Sequence, residues 1–234
     1  MSTSGQIVNI NRIQWMSMKG VPATPNVAEQ CTAEAIQRGI SHLSGVQVVS
    51  AEVNTSGQKT ATGIDRRVLE DNEDPGITEG DLPPFCEVLV QQTVGGHVVT
   101  TTVWVPLTWN GRFLGIVGQG NRASTPWVFG DLVRIATLPR AIRNGFAAAE
   151  SDSGNTDPRF ADWGLDPVTR ELDWELIRNW AHRSTHDMTV IGKAVTEAIH
   201  GAPPRFSYLQ GASGGGRQAM MEAQRYPDDY DGIW

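Results

Sequence analysis

The sequence predicts an α/β fold, in which helices flank a mostly parallel β-sheet. Short apolar strand-like segments alternate with helix-like segments through the second half of the chain, as in proteins with a buried parallel sheet. A glycine-rich bend, GASGG, joins the last strand–helix pair. Hydrophobic residues make up 39% of the 234 residues and charged residues 19%, a composition that supports a sizeable core.

The chain is predicted to have two parts. Residues 1–85 form a largely irregular segment that packs on a core made by residues 86–234. Within the first part, GVQVVSAEV alternates and is β-branched, which predicts a strand. The following stretch, residues 54–84, is polar and rich in Gly, Pro, Asp and Glu, which predicts a surface loop.

The core elements follow in order from residue 86. EVLVQQTVGGHVVTTTVWVPL predicts two strands joined by a tight turn at Gly95–Gly96. RFLGIVGQG and GFAAAESDSGN predict two buried strands that end in small or polar residues. A helix follows, with Met188, Ile191, Val195 and Ile199 at helical spacing and Gly201 as its stop. RFSYLQG predicts a further strand, GGRQAMMEAQRYP a helix ended by proline, and DGIW the start of another strand.

The bend between the last strand and helix carries one serine, Ser213. Gly211-Ala212-Ser213-Gly214-Gly215 fits G-x-S-x-G, the pattern of a nucleophile placed on a sharp strand-to-helix turn. The glycines allow strand and helix to approach closely. The Gly214 N–H, at the helix N-terminus, is then predicted to face a developing oxyanion. Ser213 is therefore the predicted catalytic nucleophile.

Other glycine-loop functions fit this bend less well. A phosphate-binding Walker loop needs Lys and then Ser or Thr after its last glycine, whereas Arg217 and Gln218 lie here. A dinucleotide fingerprint has spaced glycines early in a chain, and these are contiguous and late.

Three further positions lie at predicted strand ends, where parallel sheets concentrate function. Gln119 or Gly120, after RFLGIVGQG, is a candidate for a second oxyanion N–H, with a plain turn as the alternative. Asp152 is a candidate pocket residue that either bonds the oxyanion loop or caps a turn. His182 and His186, on the helix before the nucleophile strand, are interpreted as structural.

A serine nucleophile needs a base and a carboxylate that orients the base, and this fold takes them in the order Ser, acid, His. The last histidine is His200, before Ser213, and the later acids Glu222, Asp228, Asp229 and Asp231 lie on the helix or its exit. We therefore expect a fragment that lacks the acid and histidine, with a non-catalytic binding protein as the alternative. A different hydrolase, such as an amidase or thioesterase, shares the same elbow.

Composition narrows the partners and the compartment. The formal net charge of −7 argues against nucleic-acid or anionic-membrane binding, and no apolar run reaches the ~18 residues of a membrane span. The N-terminus has no apolar signal-peptide core. Cys31 and Cys86 are either separate buried thiols or one disulfide. The sequence predicts no metal site or cofactor within these residues and gives no oligomeric state.

Several motifs together resemble one family. YLQGASGGGRQAMMEAQRYPDDYDGI resembles the nucleophile region of tannases and feruloyl esterases, members of the α/β-hydrolase superfamily. WNGRFLGIVGQGN, GFAAAESDSGN, HDMTVIGKAV and LPPFCEV extend the likeness upstream, and it covers nearly the whole chain from about Cys31.

The resemblance implies the N-terminal half of an α/β-hydrolase core that a lid domain interrupts after the nucleophile segment. It implies a small-molecule substrate, an ester of a hydroxylated aromatic acid, and a secreted or periplasmic location. A calcium ion often lies in the lid, and the catalytic acid and histidine come later still. It also implies that Cys31 pairs with Cys86.

Two positions depart from the family pattern. The family often has Cys immediately before the serine, bridged to a Cys beside the catalytic histidine, and Ala212 stands there in this chain. The complete protein is therefore expected to lack the partner cysteine too. Asn121 replaces a common glycine in the predicted oxyanion loop.

Overall fold

A computed structural model describes residues 27–60, 78–118, 136–155 and 162–234. The main sheet has seven strands, and two short strands form a separate pair. The seven are β1 (Val46–Asn54), β4 (Phe85–Val94), β5 (His97–Pro106), β6 (Arg112–Ile116), β7 (Ala147–Ser151), β8 (Phe206–Gln210) and β9 (Gly232–Ile233). The small pair is β2 (Lys59–Thr60) and β3 (Thr78–Glu79).

The helices lie between these strands. They are a 3₁₀ turn (Val27–Gln30), α1 (Ala33–Gly39), α2 (Leu138–Arg143), α3 (Trp174–Arg178), a π-helical segment (Asn179–Arg183), α4 (Ser184–His200) and α5 (Gly214–Arg225). Within the described ranges, none of them is both long enough and apolar enough to span a membrane.

The sheet is mixed, with spatial order β1-β4-β5-β7-β6-β8-β9. The four strands β7, β6, β8 and β9 are mutually parallel. The first three strands pair antiparallel, as does the β5–β7 junction. A two-residue turn such as Gly95–Gly96 can join only antiparallel strands, and both glycines have the positive φ that such a turn requires (60° and 84°). The predicted α/β class is confirmed, with the parallel part in the half that carries the elbow.

Helix α4 covers the middle of the sheet. Its apolar positions Met188, Ile191, Val195 and Ile199 are all buried, as their spacing predicts. A Cβ added to Gly192 would lie 2.7 Å from the Phe113 ring on β6, so the helix rests directly on the strand. This contact fixes α4 against the parallel strands.

The N-terminal part contains a helix as well as the predicted strand. Helix α1 begins after Thr32, whose side chain accepts a hydrogen bond from the Ala35 N–H at 3.2 Å. Ile36 and Ile40 are fully buried, and α1 packs against α4. Helix α1 was not predicted from the sequence, because its burial depends on α4, which lies far along the chain. The domain boundary at residue 85 stays a prediction.

A disulfide joins this part to the sheet. Cys31, before α1, is bonded to Cys86 on β4, with Cα atoms 5.8 Å apart and a sequence separation of 55. The pairing that the resemblance implies is confirmed.

Candidate active site

Ser213 lies on the sharp turn between β8 and α5. Its backbone has φ 54° and ψ −120°, a conformation that costs a non-glycine residue free energy. The residue is exposed, and its side chain caps nothing in the helix that follows. A strained, exposed serine between a strand and a helix N-terminus is the geometry of a nucleophile elbow.

The glycines on either side of Ser213 are required by packing. A Cβ on Gly211 would lie 2.2 Å from the Gly215 carbonyl oxygen, closer than real atoms approach. A Cβ on Gly215 would lie 2.8 Å from the Gly118 carbonyl oxygen. The close approach of strand and helix that the motif predicts is therefore present, and only residues without side chains allow it.

The first turn of α5 places the positive end of the helix beside Ser213, with the Gly215 N–H donating to the Ala212 carbonyl at 2.9 Å. Gly214 is the first residue of α5, where an N–H has no acceptor inside the helix. The Arg217 N–H donates to the Ser213 carbonyl at 3.2 Å and so closes the first turn. The region around Ser213 is therefore suited to a developing negative charge.

The segment that follows β6 is hydrogen-bonded to α5, the helix that begins after Ser213. The Gly118 N–H donates to Gln218 Oε1 at 3.1 Å, and Gln218 Nε2 donates to Thr185 Oγ1 at 2.9 Å. Gln218 is buried and links α5 to both α4 and the start of the predicted oxyanion loop. Gln119, Gly120 and Asn121 lie outside the described residues, so the second oxyanion amide stays a prediction.

Arg217 was not singled out as a site residue by the sequence analysis. Its guanidinium carbon lies 3.7 Å from the centroid of the Trp180 ring, and Nη1 donates to the Ala181 carbonyl at 2.7 Å. Burial lowers the pKa of Arg217 to about 10. The Arg217 side chain therefore connects α5 to the π-helical segment.

Asp152 caps the turn at the end of β7. Its Oδ1 accepts from the N–H groups of Thr100 and Gly154 at 2.9 and 2.8 Å, so one of its two predicted roles is present. Its neighbours Gly154 and Asn155 line a cavity of about 480 Å³. A contact between Asp152 and the loop after β6 would fall on undescribed residues, and its place in the pocket stays a prediction.

The histidines of α4 and its approach have their own partners. His182 Nδ1 lies 2.8 Å from the Tyr226 hydroxyl, and His186 Nδ1 lies 2.7 Å from Asp229 Oδ2. Burial lowers the pKa of His182, whereas the hydrogen bond that the His186 ring donates to the Asp229 carboxylate raises the pKa of His186. These contacts agree with their interpretation as structural residues.

The acids after Ser213 do not orient a base beside it. Glu222 is fully buried on the face of α5 opposite the solvent, and Asp229 contacts His186. Burial first, and then the negative charge of Asp229, raise the pKa of Glu222 to about 9. The convergence of His186, Glu222 and Asp229 was not predicted, because the three residues come from separate elements.

Comparison with known proteins agrees with this geometry. Residues 86–234 match the family described as tannase and feruloyl esterase. The chain belongs to the tannase and feruloyl esterase family. A probable feruloyl esterase of Arthroderma benhamiae is 45% identical over 194 residues, which cover 80% of this chain and 34% of that protein. Feruloyl esterase B of Aspergillus niger is 30% identical over 169 residues, covering 67% of this chain and 30% of its own.

Solved structures show the same fold. An esterase from Aspergillus oryzae superimposes with a TM-score of 0.69 at 22% identity, over 88% of this chain and 37% of that one. A tannin acyl hydrolase from Aspergillus niger gives 0.64 at 23% identity, over 90% and 37%. This member of the tannase and feruloyl esterase family thus has the α/β-hydrolase type of core. It spans about a third of the length of the curated relatives that it matches.

Proposed function

We propose that this chain supplies the nucleophile of a serine carboxylic-ester hydrolase acting on esters of hydroxylated aromatic acids. The observation that carries the proposal is the strained, exposed Ser213 at the N-terminus of α5, with glycines where any side chain would collide. Energy stored in a backbone conformation at one polar residue is typical of a functional site.

The chemistry follows from the elbow. Ser213 Oγ attacks the ester carbonyl carbon while a base takes its proton, and the carbonyl oxygen becomes an oxyanion. The oxyanion accepts hydrogen bonds from the Gly214 N–H and from an amide near Gln119–Gly120. The C–O bond to the alcohol then breaks and the base returns the proton to the leaving oxygen. Water repeats the sequence on the acyl-serine and releases the aromatic acid.

The base and the acid that orients it are assigned to sequence outside these 234 residues. No histidine follows Ser213, and the earlier His182 and His186 are bonded to Tyr226 and Asp229. In the relatives, about two thirds of the length lies outside the matched region. We therefore expect the 234-residue chain alone to turn over ester very slowly. The calcium ion implied for the lid takes no part in these steps, since no residue of this chain is assigned to it.

The names of the relatives support the substrate class. Relatives at 45% and 30% identity are named feruloyl esterases, and ferulic acid is a hydroxylated aromatic acid. The Cys31–Cys86 disulfide supports a secreted or periplasmic location, because disulfides persist in oxidising compartments.

The test is ester hydrolysis by the purified protein that contains this chain. Methyl ferulate and methyl gallate are the positive substrates, with an aryl thioester and an anilide of the same acids beside them. Ser213→Ala should abolish hydrolysis, whereas Ser44→Ala, an exposed serine before β1, should leave it unchanged. Equal rates in the two variants would contradict the proposal, and ligand binding without turnover would favour a binding protein.

A further inference from the structure

Glu222 is a buried carboxyl group that no N–H or cationic donor within the described ranges neutralises. It lies on α5 with none of its surface exposed to solvent, and neither carboxyl oxygen accepts a hydrogen bond from an N–H or hydroxyl donor in the part of the chain that the structure describes. The Asp229 carboxyl group lies near enough to share a proton with it. An isolated carboxylate in a protein interior is costly unless it is paired, protonated or bound to a metal. The position therefore requires a compensating group.

His186 and Asp229 approach Glu222 from two other elements. His186 lies on α4, and Asp229 lies in the turn after α5, with 2.7 Å between Nδ1 and Oδ2. One nitrogen or oxygen atom from each of the three residues lies within 4.8 Å of the other two. The Tyr226 ring stacks on the His186 imidazole at 4.0 Å and 10°, which fixes the direction of the ring. The three side chains therefore converge on one point from three separate elements.

The charges around the cluster leave an excess of negative charge. Besides Glu222 and Asp229, the carboxyl groups of Asp187 and Asp231 contribute to the local field, and Asp187 accepts a hydrogen bond from Gln92 at 2.9 Å. Lys193 opposes them, but its ammonium donates to the Asp229 backbone carbonyl. Among the described residues, Glu222 forms no ion pair with Lys193 or with any arginine.

We propose that His186, Glu222 and Asp229 bind one divalent transition-metal ion of the Zn²⁺ type. One imidazole nitrogen and two carboxylate oxygens suit zinc, whereas calcium takes six to eight oxygen ligands. Metal–ligand bonds of about 2 Å place neighbouring ligand atoms roughly 3.3 Å apart. His186 and Asp229 are already closer than this, so metal binding mainly requires the Glu222 carboxyl group to move toward them. A water molecule completes the coordination.

The ion would hold three elements together. It joins α4 to the C-terminal half of α5 and to the turn that follows α5. Because α5 carries Ser213 at its first turn, the ion stabilises the docking of the nucleophile helix, not the reaction itself. The inference does not depend on ester hydrolysis, and its test reads metal binding and stability alone.

The experiment is a zinc titration of the purified protein that contains this chain, after chelator treatment and dialysis. Calorimetry should give one zinc per chain, and the Tm should rise by about 5–10 °C at a zinc concentration near 100 times Kd. Glu222→Gln preserves the shape of the side chain and should weaken zinc binding at least tenfold. His42→Gln, which changes an exposed histidine elsewhere, should bind zinc as the wild type does.

A second readout keeps the test decisive if Glu222→Gln folds poorly. Wild-type protein loaded with Co²⁺ should show d–d absorption bands, which disappear when zinc replaces the cobalt ion. The Asp229→Asn variant should show weaker bands at the same Co²⁺ concentration. The proposal is overturned if zinc raises the Tm of wild type and Glu222→Gln equally, or if the wild type binds no zinc. A metal-insensitive wild type beside a more stable Glu222→Gln would show that a proton, not a metal, neutralises the site.

Discussion

Gly211→Ala tests whether the elbow depends on contact between strand and helix backbones. The added Cβ would lie 2.2 Å from the Gly215 carbonyl oxygen, and ordinary contacts begin near 3.4 Å, so β8 and α5 must separate by about 1.2 Å. Overpacking of this kind costs about 1–3 kcal/mol. We expect about 3 kcal/mol here, because the colliding atoms belong to the backbone and cannot rotate away.

Urea unfolding followed by tryptophan fluorescence measures this cost. With an m-value near 3 kcal/mol per M, the loss lowers the midpoint by about 1 M. The matched control is Gly216→Ala, whose Cβ meets nothing closer than 3.8 Å and which lies within α5. It should raise stability by up to about 1 kcal/mol through helix propensity. A Gly211→Ala midpoint within about 0.2 M of the wild type would refute the packing argument.

Two further predictions concern other parts of the fold. Cys86→Ser opens a loop whose ends are 55 residues apart and should reduce the free energy of unfolding by about 4 kcal/mol in the chain-entropy model. The variant should have a lower urea midpoint than the wild type, and reductant should not lower the midpoint of the variant further. An unchanged midpoint would show that the bond adds no stability. Burial lowers the pKa of His200 despite its hydrogen bond to the Pro106 carbonyl, so the unfolded chain binds the proton more readily. Stability should fall as pH drops below about 6.5, and less steeply in His200→Gln; parallel pH curves for the two proteins would contradict this.

The elements with strong local signals could be predicted from the sequence. Met188, Ile191 and Val195 repeat at helical spacing and are buried on α4, where their contacts lie along one face. Gly95–Gly96 sets a turn whose backbone needs no distant partner. The elbow at Ser213 could also be predicted, because Gly211 and Gly215 meet each other within the motif, although Gly215 is required as well by the distant Gly118 carbonyl.

The features that depend on distant contacts could not be predicted. Gln218 bonds the amide of Gly118, 100 residues earlier, and nothing near Gln218 in the sequence indicates this partner. Helix α1 has only Ile36 and Ile40 as an apolar face, too few for a periodic signal. Glu222 becomes unusual only when the fold brings His186 and Asp229 to it. In each case a packed tertiary contact, not a local preference, determines the outcome.

The central claim is that Ser213 becomes acylated. The most direct measurement is mass spectrometry of the protein that contains this chain, quenched in acid during turnover of a feruloyl or galloyl ester. The account predicts one added acyl group on the peptide that carries Ser213, and no such mass in Ser213→Ala. Hydrolysis that proceeds with Ser213 unmodified, or an acyl group on a different residue, would contradict it.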